Sequence, residues 1–215
     1  VTMVDSVLAA DQHYDRNDVE IVKCEPCFKG FFRINRYHLR HKLFAGGWGD
    51  VIQREMFERG HAAAVLLYDI ELDRVVLLEQ FRLGAVETKQ DPWLLELVAG
   101  IIEDGEQPDE VIHREAEEEA GLHLQKADFA LSFMVSPGGT TERIHLYVGK
   151  VDSTQADGLH GLAHEGEDIR LHVVSREQAY RWVEEGRIDN ATTVIALQWL
   201  ELHRAKLQQR WLGGS

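Results

Sequence analysis

The sequence is short of cysteine, of positive charge and of long apolar runs, and each shortage narrows what the chain can do. Cys24 and Cys27 are the only cysteines among 215 residues. They form C-x-x-C and are followed by His38 and His41, but ten residues separate the two pairs and two separate the histidines, both shorter than a zinc finger needs. The segment from Phe31 to Leu43 also reads as an extended strand, which would spread such ligands apart. Reduced cysteines, buried or in a turn, are expected instead. Lys and Arg number 23 against 37 Asp and Glu, a formal net charge of −14. That balance argues against a nucleic-acid partner, because phosphate backbones are held by an excess of cationic side chains. A phosphorylated small molecule remains compatible where a metal and a few arginines offset the repulsion. No run approaches the roughly 18 apolar residues that span a bilayer, so no membrane partner is expected. Val1 to Asp11 is too short and too acidic for a secretory signal, and the expected compartment is the cytoplasm.

The length allows one large or two small domains. From Val19 to Phe57 the pattern is of short strands separated by the turn signals Glu25-Pro26, Lys29-Gly30 and Gly46-Gly47. Residues 1–58 therefore read as a small β-rich subdomain, and residues 59–212 as the main domain. There, Ala62 to Ile70 and Val75 to Arg82 read as paired apolar strands joined by a polar turn, and Leu94 to Val98 as a further strand. Phe129 to Val135, Ile144 to Val151 and Ile169 to Val174 continue the sheet. Arg176 to Glu185 and a longer segment capped by Asn190 read as helices. Strands and helices interleave without regular βαβ alternation, which predicts an α/β fold with a mixed sheet between helices.

What is abundant is acid, concentrated between Gly100 and Leu122. Pro108 suits a first helical turn, Asp109 and Glu110 suit the positive end of the helix dipole, and Gly121 can supply a left-handed terminator, so the spacing predicts a helix from Pro108 to Ala120. At 3.6 residues per turn Glu115 and Glu119 lie one above the other, and Glu118 lies one turn beyond Arg114. Ile112, Ala116 and Ala120 make a separate apolar stripe that can approach a sheet closely. Carboxylates so placed repel unless they are solvated or share a hard divalent cation, and oxygen ligands favour magnesium, manganese or calcium over zinc. A Glu-rich helical face is ordinarily just solvated. Here the acids belong to a longer pattern of fixed identities: Gly100, five residues, Glu106, seven residues, Arg114-Glu115, Ala116, one residue, Glu118-Glu119, one residue, Gly121-Leu122.

That pattern resembles the Nudix hydrolase signature at every fixed slot. The resemblance implies an α/β/α sandwich and metal-dependent hydrolysis of a nucleoside diphosphate linked to another moiety, with Mg2+, or Mn2+, as cofactor. It makes Glu115 and Glu119 the principal metal ligands, with Glu118 second in line and the carbonyl of Ala99 completing the set. Arg114 would orient the glutamates, and Glu106 would brace the loop. Outside the signature, the run from Phe57 through Gln80-Phe81-Arg82, the stretch Pro92 to Glu96 and Ser136-Pro137-Gly138-Gly139 resemble the branch of the family that acts on ADP-ribose. Pro137 lies sixteen residues beyond Gly121, a spacing that marks this branch. The resemblance implies a catalytic base on a mobile acidic loop, which assigns Glu165 as the base and Glu167 as a further metal ligand, with Glu142 as the rival base. Arg82 would hold phosphate or ribose, Phe31 and Arg54 adenine, and Ser136 the substrate near the metal. It also implies a homodimer that exchanges N-terminal strands, so that Phe31 and Arg54 serve the partner's site. Two other functions are compatible: a pyrophosphatase for another nucleotide sugar such as GDP-mannose, and a non-catalytic ADP-ribose-binding module.

Overall fold

The computed structural model describes residues 13–162 and 166–213. They fall into two compact units, one of residues 13–59 with Ser136–Thr141 and one of Gly60–Val135 with the chain from Glu142 onward.

In the first unit β1 (Val19–Lys29), β2 (Arg33–His41) and β3 (Ile52–Glu58) form an antiparallel sheet in that order. The Glu25-Pro26 pair, expected to turn, runs through β1 instead: Pro26 stands opposite Asn35, and the register shifts between Pro26 and Phe28. β1 is an edge strand, where a missing N–H is tolerated, and the bulge absorbs the irregularity. Cys24 and Cys27 are consequently exposed on a strand, neither buried nor in a turn. Loop Ser136–Thr141 docks on β3, where the Phe57 N–H donates to the Gly139 carbonyl at 2.8 Å and the Thr141 hydroxyl to the Glu58 carboxylate at 2.6 Å. None of the described residues of this unit is buried.

The second unit is built on β4 (Ala62–Asp69), β5 (Arg74–Phe81), β6 (Trp93–Glu96), β7 (Val98–Ile101), β8 (Lys126–Met134), β9 (Arg143–Lys150), β10 (Leu159–His160) and β11 (Ile169–Ser175), with α1 (Pro108–Ala120), α2 (Arg176–Glu184) and α3 (Ala191–Leu212). The strand order is β10-β11-β5-β4-β9-β8, with β6 paired to β5 and β7 to β4. The β4–β9 pair is parallel and the others are antiparallel, so the sheet is mixed. The strand read across Leu94 to Val98 is two strands broken at Leu97, which change partner from β5 to β4.

All eight residues of β4 are buried, as a strand covered on both faces requires. Alternation divides them between two cores. Ala63, Val65 and Leu67 pack with Val111, Ile112, Ala116 and Ala120 of α1. Ala62, Ala64, Leu66 and Tyr68 pack with Ala179 of α2 and with Ala196, Leu197, Leu200, Leu207 and Trp211 of α3. This gives the expected helix, sheet, helix sandwich.

Two polar devices brace the layers. The turn between β4 and β5 holds Asp73 at φ 51°, where its carboxylate accepts from the Tyr68 hydroxyl at 2.7 Å and from Arg176 Nε at 3.0 Å. Arg176, itself buried, also pairs with Glu201 of α3. Asn190 caps α3 by accepting from the Thr193 N–H at 3.1 Å, and its amide donates to the Leu95 carbonyl of β6 at 2.7 Å.

Candidate active site

The helix at the centre of the site starts and stops for local reasons. Pro108 occupies the first turn, and the Glu110 carboxylate accepts from the Gln107 N–H at 2.9 Å. At the other end Gly121 adopts φ 62°, and the Leu122 N–H reaches the Ala116 carbonyl at 3.0 Å, closing the last turn. The acidic helix predicted over Pro108 to Ala120 is therefore present with those bounds.

Its carboxylates are arranged by one arginine and one glycine. Arg114 donates from Nε to Glu106 at 3.2 Å, and from Nη1 to Glu115 at 2.6 Å and to Glu118 at 3.3 Å. Glu106 in turn accepts from the Glu103 N–H at 3.1 Å, so it braces the loop ahead of the helix. Gly100 of β7 makes room: a β-carbon there would stand 1.9 Å from Glu115 Oε1. Glu119, 4% exposed, accepts from the Ala99 N–H at 3.0 Å. Burial pushes its pKa up to about 8, and the charges of Glu115 and Glu167 add to the rise against the opposing effects of the Ala99 N–H and Arg82. Burial also raises the Glu115 carboxyl, despite Arg114 beside it.

Glu167 reaches this cluster electrostatically from the acidic loop. Its carboxylate accepts from the Leu162 N–H at 3.2 Å. Glu165 lies outside the described residues. Among the described residues no three Asp, Glu, His or Cys side chains are already drawn together at ligand distance. The donor chemistry nonetheless fits a hard divalent cation: two poorly solvated carboxylates and a third within their field, an all-oxygen set among the described residues. A cation offsets what burial and mutual repulsion cost.

The other predicted residues divide between the units. Arg82 is in the second unit, donating from Nε to Glu96 Oε2 at 2.8 Å. Glu142, also there, is buried. Phe31, Arg54 and Ser136 belong to the first unit. Phe31 is 88% exposed and meets Phe32 edge-on at 4.7 Å. Arg54 donates to the Gln53 carbonyl at 2.7 Å, and the Ser136 carbonyl accepts from the N–H groups of Gly139 and Thr140. Glu96 has no role that its sequence neighbours define; its one signal is an acid inside the apolar run from Leu94 to Val98.

A cleft of about 320 Å³ is lined by Glu79, Asp91, Trp93, Leu159, Asp168 and Arg170, and none of the α1 carboxylates borders it.

The NUDIX domain family matches residues 58–195, and the chain belongs to that family. Among individual relatives, it is 56% identical over 198 residues to the ADP-ribose pyrophosphatase of Escherichia coli (strain K12), covering 92% of this chain and 95% of that one. It is 52% identical over 203 residues to the ADP-ribose pyrophosphatase of Haemophilus influenzae, with 93% and 94% covered. A GDP-mannose pyrophosphatase of Cronobacter sakazakii is 35% identical over 190 residues, with 86% and 96% covered. A solved structure described as an ADP compounds hydrolase has the same fold, with TM-score 0.68 at 18% identity, covering 88% of this chain and 96% of that one.

Proposed function

We propose that the protein hydrolyses the pyrophosphate of ADP-ribose to AMP and ribose 5-phosphate, using Mg2+ or Mn2+, in the cytoplasm. The carrying observation is the buried Glu119 beside the Gly100-cradled Glu115, in a chain with 56% identity to an ADP-ribose pyrophosphatase. Identity to the GDP-mannose pyrophosphatase is lower, at 35%, which favours ADP-ribose over that nucleotide sugar.

Glu115, Glu119, Glu167 and the Ala99 carbonyl would hold the metal. A bound divalent ion neutralises charge on the diphosphate and acidifies water. The remaining work belongs to side chains. Arg114 keeps Glu115 and Glu118 in register through charge-assisted bonds. Arg82 holds a phosphate or ribose oxygen with its guanidinium fork. Glu165 takes the proton of the attacking water as the P–O bond of the bridge breaks, releasing AMP and ribose 5-phosphate. Ser136 bonds the substrate, and Phe31 and Arg54 hold adenine.

The protein works as a homodimer in this reading, with Phe31 and Arg54 serving the second copy. The support is the first unit's sheet, which has no buried residue while Val22, Phe28, Phe31 and Phe44 are each more than half exposed. A three-stranded sheet needs a covered apolar face to be stable, and a second copy supplies it.

Incubating the protein with Mg2+ and a panel of ADP-ribose and GDP-mannose tests the function. AMP release from ADP-ribose, abolished by EDTA and at least tenfold more efficient than GDP-mannose cleavage, is expected. Binding of ADP-ribose without AMP release would make the chain a binding module instead.

A further inference from the structure

We propose that Glu96 is a positioning residue that fixes the Arg82 guanidinium for an anionic substrate group. The inference rests on the reading of Arg82 as a substrate contact. It concerns a carboxylate that takes no part in the metal set.

Strand alternation places Glu96. Leu95 and Leu97 point into the core against α2 and α3, and Val98 points into the core against α1. Glu96 therefore shares the α1 side of the sheet with Val98 and Gly100, the side on which Glu115 and Glu119 stand. A carboxylate placed there among apolar neighbours needs a partner. It has one: Arg82 Nε, at 2.8 Å, with Glu96 largely covered at 16% exposure and Arg82 open at 48%.

Which nitrogen is engaged decides the consequence. Glu96 holds Arg82 through Nε, and no partner of Nη1 or Nη2 is found among the described residues. The two terminal nitrogens are left as a fork toward solvent, a geometry suited to two oxygens of one phosphate. Because Glu96 lies on the α1 side of the sheet, its bond to Nε holds the guanidinium on the side where Glu115 and Glu119 stand.

The anchor itself is rigid. Glu96 is registered against Leu78 on β5, and the preceding Leu95 carbonyl is tied to Asn190 at the start of α3. A long, exposed arginine loses rotamer freedom on binding an anion, and a carboxylate that already fixes its Nε removes part of that cost. The expected signature is in ground-state affinity more than in turnover.

A double-mutant cycle tests this, read as the ADP-ribose dissociation constant by calorimetry in EDTA, where nothing turns over, and as KM and kcat in Mg2+. Glu96→Gln is expected to weaken binding and raise KM about five- to twenty-fold, of order 1–2 kcal/mol, with kcat changed less than threefold. Glu96→Asp keeps the charge one methylene short and is expected to give a smaller loss in the same direction, at an unchanged melting midpoint. Arg82→Ala should weaken binding at least as much as Glu96→Gln, and adding Glu96→Gln to it should cost nothing further. If Glu96→Gln costs as much in the Arg82→Ala background as in the native one, Glu96 acts elsewhere and the proposal fails. If Arg82→Ala leaves affinity unchanged, both the positioning role and the Arg82 contact fail, while Mg2+-dependent AMP release by the native protein stands as a separate result.

Discussion

Gly100 lies so close to Glu115 that a single added carbon would stand 1.9 Å from the carboxylate oxygen. The strand and the helix meet there with no space for a side chain. Gly100→Ala must therefore displace Glu115, and because the displaced group is a proposed metal ligand the effect should fall on chemistry. A loss of about ten- to a hundredfold in kcat/KM is expected, measured with the melting midpoint to show that the fold survives.

Glu119 is a buried acid whose charged form the apo protein tolerates poorly. Its folded pKa of about 8 lies above the ordinary carboxylate value of 4.5. The sign follows: the folded state holds this proton more tightly than the unfolded chain, so stability falls as pH rises from 4.5 toward 8. Glu119→Gln removes that penalty. In EDTA at pH 8 its melting midpoint should rise by roughly 2–6 °C, while AMP release and the Mg2+-induced rise in midpoint disappear. A native-like Mg2+ shift in this variant would remove Glu119 from the ligand set.

Two acids compete for the role of base. Glu165→Gln is expected to lower turnover on the order of a hundredfold with little change in ADP-ribose affinity. If Glu165→Gln turned over like the native enzyme while Glu142→Gln was inactive, the assignment would pass to Glu142.

Asp73 carries an acid-sensitive part of the stability. Burial works to raise its carboxyl, but bonds from Arg176 and Tyr68 outweigh that and hold it below 3.8. A depressed folded pKa means stability fully present above 3.8 and lost as pH falls through the folded value. Asp73→Ala removes one of the two carboxylates hydrogen-bonded to the buried Arg176, leaving Glu201, and should cost about 2 kcal/mol at pH 7, and the gap from the native protein should narrow as urea melts are repeated below pH 3.8.

Sedimentation addresses the exposed first unit. The native protein is expected at twice the chain mass, and Phe28→Asp together with Val22→Asp should shift it toward the monomer. A native protein that is monomeric at micromolar concentration and fully active would overturn the dimer.

The sequence was most readable where one local signal decided the outcome. Pro108 and Gly121 bound α1, Asn190 caps α3, and the continuous apolar runs give β4 and β5 within a residue or two. It misled where a tertiary setting excused a local signal. Pro26 reads as a turn, yet on an edge strand beside a bulge its missing N–H does little harm, and the cysteines around it followed it into the strand. Leu97 gives no hint that the run from Leu94 to Val98 is two strands, because both halves are equally apolar and only their partners differ. At the site, Arg114 and the glutamates could be placed because their spacing is helical. Glu96 could not, since its partner is fourteen residues away and the contact exists only once β5 and β6 pair.

Gly121 is constrained from two directions at once. Its φ of 62° ends α1, and a β-carbon there would also meet the His160 ring at 2.8 Å, at the entrance to the acidic loop. Asparagine, the usual substitute at a left-handed position, would relieve the first demand and not the second. A saturation library at this position should thus recover glycine alone, and a second-site library selected to rescue Gly121→Asn should return small residues at His160, two positions thirty-nine apart in the chain that behave in selection as one.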